Sequence, residues 1–124
     1  MQARNPEDLH RLFAAALNAD DLDALMSLYA PDAALVPQPG QAAIGKAAIR
    51  EALAGFLVMK PVIALTTRGI VKTADLALLY SSWVLRGTGP DGTPVEMTGR
   101  GTEVARRQAD GTWRFVLDNP YAVE

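Results

Sequence analysis

Glu103 is the residue of this sequence whose type and setting best suit acid–base chemistry. It stands between Thr102 and Val104 in a β-branched run. Alternation along an extended chain groups Met97, Gly99, Gly101, Glu103 and Ala105 on one side, with Thr98, Arg100, Thr102, Val104 and Arg106 on the other. The first set is smaller and less charged, as the wall of a ligand cavity would be. A carboxyl buried there would titrate above the usual range and could act as acid, base or hydrogen-bond donor. Facing outward, it would pair with Arg100, Arg114 or another strand arginine. Further on, the same alternation sets Trp113, Phe115, Leu117 and Asn119 against Arg114, Val116 and Asp118. Asn119 then becomes the polar end of an apolar row, placed to orient a ligand. Its other reading is a turn, Asp118-Asn119-Pro120, that ends the strand.

Other chemistries are poorly served. The chain has no cysteine, hence no disulfide, thiolate nucleophile or Cys-ligated metal. Its one histidine, His10, falls off the apolar stripe of its helix and is expected at the surface. Asp20, Asp21 and Asp23 lack the glycine and terminal glutamate of a calcium loop, and helix capping accounts for them. Gly87-Thr88-Gly89-Pro90 sits in a hairpin and opens no helix, so it is no phosphate loop. No metal and no cofactor are expected.

The elements that must position Glu103 follow from spacing. Asn5-Pro6-Glu7-Asp8 has the form of a capped helix start. Leu9, Leu12, Phe13, Ala16 and Leu17 then form one apolar stripe. A second, shorter helix carries Leu22, Leu25, Met26 and Tyr29, with Asp20 and Asp23 in a capping arrangement, and ends at Pro31-Asp32. Residues 33–36 read as a brief strand, which proline confines to an edge. Ile49, Ala52, Leu53, Phe56 and Leu57 mark a third helix ending near Lys60. Residues 62–72, 76–86, 95–107 and 112–121 read as four long antiparallel strands separated by turns. With 124 residues and 49% hydrophobic composition, the order predicts a single α+β domain over 1–124. A net charge of -2 lacks the basic excess that nucleic acid or anionic lipid demands. The first residues carry no signal-like apolar run, so a cytoplasmic protein is expected, with no membrane partner.

Three segments together resemble a known superfamily: Phe13-Ala14-Ala15-Ala16-Leu17-Asn18 running through Asp23 to Tyr29-Ala30-Pro31-Asp32-Ala33; Gly45-Lys46-Ala47-Ala48-Ile49-Arg50; and Asp110-Gly111-Thr112-Trp113-Arg114-Phe115. This pattern is similar to the superfamily of nuclear transport factor 2, ketosteroid isomerase and SnoaL-like polyketide cyclases, nearest to its small SnoaL-like members. The resemblance implies a cone-shaped, curved antiparallel sheet wrapped around three N-terminal helices, a homodimer, and a cavity for a small hydrophobic ligand. Phe13, Phe56, Trp83, Met97 and Phe115 would supply its walls, and Tyr29 a hydroxyl. Catalysis would be cofactor-free proton transfer, with Glu103 as acid or base and Asn119 orienting. The alternative is a non-catalytic association or ligand-carrier module. Ketosteroid isomerisation itself is not expected. Phe13 stands where those isomerases place a donor tyrosine, and Pro37 where they place the base. Leu117, Asp118 and Asn119 stand where SnoaL-like enzymes carry histidine and aspartate, so the histidine is missing.

Overall fold

The computed structural model describes residues 2–121. A 3-10 turn, Pro6–Asp8, leads into helix α1 (Leu9–Asn18) and the short helix α2 (Leu22–Met26). Strands β1 (Tyr29–Leu35) and β2 (Ala43–Ile44) precede helix α3 (Lys46–Leu57). Strands β3 (Val62–Lys72), β4 (Leu76–Thr88), β5 (Pro94–Arg107) and β6 (Trp113–Asn119) complete the chain. The architecture is α+β, with one curved, unclosed sheet in the order β2-β1-β6-β5-β4-β3 and the helices against its concave side. The long strands pair antiparallel, as their turns require, but β1 runs parallel to β6.

Strand β1 departs most from expectation. It begins at Tyr29, which helical spacing puts on the second helix, and it lies between β2 and β6 rather than at an edge. Helix α2 stops early because the Ser27 hydroxyl bonds the Ala24 carbonyl at 2.6 Å and the Phe115 amide takes the Leu28 carbonyl at 2.8 Å. Pro31 is tolerated inside a paired strand because the β1–β6 register breaks between Tyr29 and Ala34, so its missing N–H interrupts no ladder. Two helix starts also differ from their expected form. Asn5 makes no side-chain cap, and Asp21 rather than Asp20 caps α2, accepting from the Ala24 amide at 3.0 Å. Helix α3 ends at Leu57, and Lys60 (φ 51°) turns the chain into β3.

The core lies between the helices and the sheet, centred on Phe115, whose side chain is fully buried. Tyr29 meets its ring at 5.4 Å between centroids, and Phe13 packs edge-on at 6.4 Å. Such pairs add about 0.5–1.5 kcal/mol each to the burial of their area. Above this cluster, the inward rungs of β3, β4 and β5 are Ile63/Leu85/Met97, Leu65/Trp83/Gly99 and Thr67/Ser81/Gly101. Trp83 can lie flat across its rung because Gly99 has no side chain. A Cβ there would stand 2.6 Å from Trp83 Cζ2.

Gly99→Ala is therefore expected to displace the indole and to destabilise the fold by about 1–3 kcal/mol, the usual cost of overpacking. Urea unfolding and Trp emission would register it together. An unchanged midpoint would mean that the indole has room to move.

Candidate functional site

A cavity of about 80 Å³ opens between α1, α3 and the concave face of the sheet, room for several water-sized molecules. Glu103, Phe13, Phe56, Trp83, Met97 and Phe115 all line it, together with His10, Ser81 and Asp118. Most of its wall is apolar. The polar groups gather at one end, where β4, β5 and β6 carry Ser81, Glu103 and Asp118 and α1 brings His10 across.

Glu103 is buried, 4% exposed, and its partner is not an arginine. His10 Nε2 bonds Glu103 Oε1, and Ser81 Oγ donates to Oε2 at 3.2 Å. The carboxyl leans back over Gly101, where a Cβ would stand 2.5 Å from Oε2. His10 is thus not the surface residue that the sequence suggested: it is 4% exposed, and its Nδ1 lies 2.6 Å from Thr67 Oγ1. The reason is angular. At 100° per residue, His10 falls beside Leu17 on the flank of the stripe, with Phe13 next on the same side, and all three line the cavity. The spacing His10, Phe13, Leu17 was the available signal.

The last strand corrects a second expectation. Val104 pairs with Leu117 and Ala105 with Phe115, so Val116 is an extra residue, a bulge that shifts the alternation by one. Beyond it Leu117 faces outward, 53% exposed, and Asp118 turns inward opposite Glu103. Asn119 does not line the cavity. Its Oδ1 accepts from the Tyr121 amide at 3.1 Å, which is the turn chemistry of the strand end. Tyr29 lies outside the lining as well, buried behind Asp118, and its hydroxyl donates to Asp118 Oδ2 at 2.5 Å. Pro37 offers only a carbonyl, which accepts from the Tyr121 hydroxyl at 2.9 Å. Tyr121 stacks edge-on to Trp83 at 6.0 Å, and Trp83 Nε1 donates to the Pro120 carbonyl at 2.8 Å, so Pro120 and Tyr121 close one side of the cavity.

Two carboxyls on one cross-strand rung cannot both hold charge cheaply. Loss of water first, and then the Glu103 carboxylate, raise Asp118 to about 7, with the Tyr29 hydroxyl bond working in the opposite direction. Burial, then the Asp118 charge, hold the Tyr29 phenol well above its ordinary value, so it remains a donor. The arrangement can accept, hold and return a proton near neutral pH beside an apolar surface. Among the described residues no three His, Cys, Asp or Glu side chains converge as a metal-ligand set, and no helix is long and apolar enough to cross a membrane.

Comparison with known proteins accords with this fold. The sequence profile of the SnoaL-like domain matches residues 9–116, and the chain belongs to that family. No curated protein matches it. Among solved structures, it is similar to a ketosteroid isomerase-like protein from Erwinia carotovora atroseptica, with 23% identity over 91% of this chain and 89% of that one, and a TM-score of 0.80. It is similar to an NTF2-like protein with a cystatin-like fold from Novosphingobium aromaticivorans, with 18% identity over 95% and 81% of the chains and a TM-score of 0.75. A candidate dehydratase of the NTF2-like family from Streptomyces avermitilis gives 20% identity over 93% and 91%, also with a TM-score of 0.75. At these identities the likeness is one of fold, and the fold hosts many reactions.

The raised Asp118 carboxyl fixes a sign for stability. Its folded value, about 7, lies above the ordinary aspartate value, so between about pH 4 and 7 the native state holds a proton that the unfolded chain has lost. Stability from this group is present in full below that window. It is lost as pH rises through 7, on the order of 4 kcal/mol. Asp118→Asn removes the dependence, so urea midpoints of the variant are expected to gain on wild type between pH 5 and 8. Parallel pH profiles for the two proteins would contradict the assignment.

Proposed function

We propose that this chain binds a small, mostly apolar molecule in the cavity and moves a proton on it without a cofactor, in the manner of an isomerase, cyclase or dehydratase. The observation that carries the reading is a buried carboxyl, Asp118, raised to about 7 at the polar end of an apolar cavity. Such a group is half protonated at neutral pH and can take a proton from carbon or give one to a developing oxyanion. Tyr29 holds Asp118 in place. Burial raises the proton affinity of Asp118, and the negative charge of Glu103, fixed by His10 and Ser81, raises it further. The apolar wall excludes water, which strengthens each of these interactions.

A second reading, a carrier that holds its ligand without turnover, draws on the same apolar walls. The protein is proposed to act in the cytoplasm as a homodimer through the outer face of the sheet, where Val62, Val71, Leu76, Tyr80 and Leu117 are exposed. Light scattering at micromolar concentration is expected to give the mass of two chains, and the mass of one would contradict the dimer.

Small cyclic ketones such as cyclopentanone probe the chemistry directly. In D2O, NMR is expected to show enzyme-dependent α-deuterium exchange with a pH limb near 7. Asp118→Asn should lower the rate about 100-fold or more, the usual worth of a positioned acid or base. Glu103→Gln should move the limb to lower pH, because a charge that raises Asp118 is gone. Ketone binding without exchange at any pH would leave the carrier reading in its place.

A further inference from the structure

The polar cluster has a side away from the cavity. His10 and Glu103 are each 4% exposed, yet the residue on His10 Nδ1, Thr67, is exposed to solvent. Thr67 sits on β3, the last strand of the sheet, immediately before a bulge: it pairs with Ser81, while Gly69 pairs with Tyr80, so Arg68 is the extra residue. Before the bulge, Ile63, Leu65 and Thr67 share the inward face. Thr67 is therefore the point at which an inward-facing row reaches water beside α1.

We propose that Thr67 is a proton port, through which the buried His10–Glu103 pair exchanges protons with bulk water independently of the cavity mouth. This deepens the proton-transfer reading, and it rests on that reading only for its value in turnover. The residue type suits a proton relay. A hydroxyl both donates and accepts, so Thr67 can serve either charge state of His10 without losing the bond. When the imidazolium discharges, the Nδ1–H bond breaks and its proton passes to Thr67 Oγ1 as the original hydroxyl proton passes to water. His10 is left neutral with Nε2–H still directed to Glu103, and Thr67 now donates to Nδ1. Recharging is the reverse, so one proton leaves or enters and nothing else changes. The groups that face this path are Glu103 on β5, Ser81 on β4, Asp118 on β6 and Tyr29 on β1. Glu103, Ser81 and Asp118 line the cavity and Tyr29 lies behind Asp118, whereas Thr67, the partner of the other ring nitrogen, is outside the lining. A site whose cavity is filled by ligand would still be able to reset its proton count.

His10 is the only histidine in the sequence, so labelling histidine with 15N reports this ring alone. The experiment measures exchange of the His10 imidazole protons with water by NMR in wild type, Thr67→Val, Thr67→Ala and Thr67→Ser. Thr67→Val and Thr67→Ala are expected to slow exchange at least tenfold, and Thr67→Ser to keep it within about twofold of wild type. Loss of packing alone would not be rescued by serine, which restores the hydroxyl and not the methyl group. Wild-type exchange in Thr67→Val or Thr67→Ala, or exchange in Thr67→Ser as slow as in Thr67→Val, would overturn the port. The measurement involves no substrate. An absence of ketone exchange would therefore count against catalysis while leaving this result intact.

Discussion

Keeping two carboxyl groups inside one apolar cavity is the constraint from which the rest of the site follows. A buried, ionised carboxyl costs several kcal/mol unless partners replace its water. Glu103 finds His10 and Ser81, one on each oxygen, and Asp118 finds Tyr29. These partners come from a helix and two strands that meet only in the folded chain. Asp118 faces Glu103 across one rung, and burial, with the Glu103 charge adding to it, makes it the acid that stays protonated up to about neutral pH. A charge pattern of this kind is a poor way to stabilise a small domain. It is a good way to hold a proton ready.

The fold supplies what the pair needs. Gly101 leaves room for the Glu103 carboxyl, and Gly99 leaves room for Trp83, so one strand both opens the polar end of the cavity and fits its apolar wall. The bulge at Val116 turns Asp118 inward, and the one after Thr67 lies where His10 meets the outermost strand. Bulges re-aim side chains at the cost of a ladder bond, and here one lies two residues before Asp118 and the other directly after Thr67, the partner of His10. Phe115, beneath the cluster, ties α1, β1 and β6 together through Phe13, Tyr29 and His10, so burial of the core and placement of the polar groups depend on the same ring.

Much of this was legible in the sequence. The stripe Leu9, Leu12, Ala16 and Leu17, the long strands and the inward face bearing Gly99, Gly101 and Glu103 all follow from spacing, because each is a property of one element. What spacing could not supply is pairing. The bulge that exchanges Asn119 for Asp118 is defined by the neighbouring strand. His10 became a core residue because Glu103 and Thr67, 93 and 57 positions away, give its two nitrogens partners. Tyr29 reads as a helix end because nothing local announces that β6 will draw the backbone at Leu28 into a sheet. The parallel β1–β6 pair was hidden for the same reason.

The central claim is that Asp118 holds a proton at neutral pH inside this cavity. Its direct test is a 13C NMR titration of the Asp118 side-chain carboxyl in the protein labelled at aspartate, assigned by comparison with Asp118→Asn. A midpoint near 7 is the expected result. A midpoint in the ordinary aspartate range would mean that water reaches the carboxyl and that the cavity holds no neutral acid.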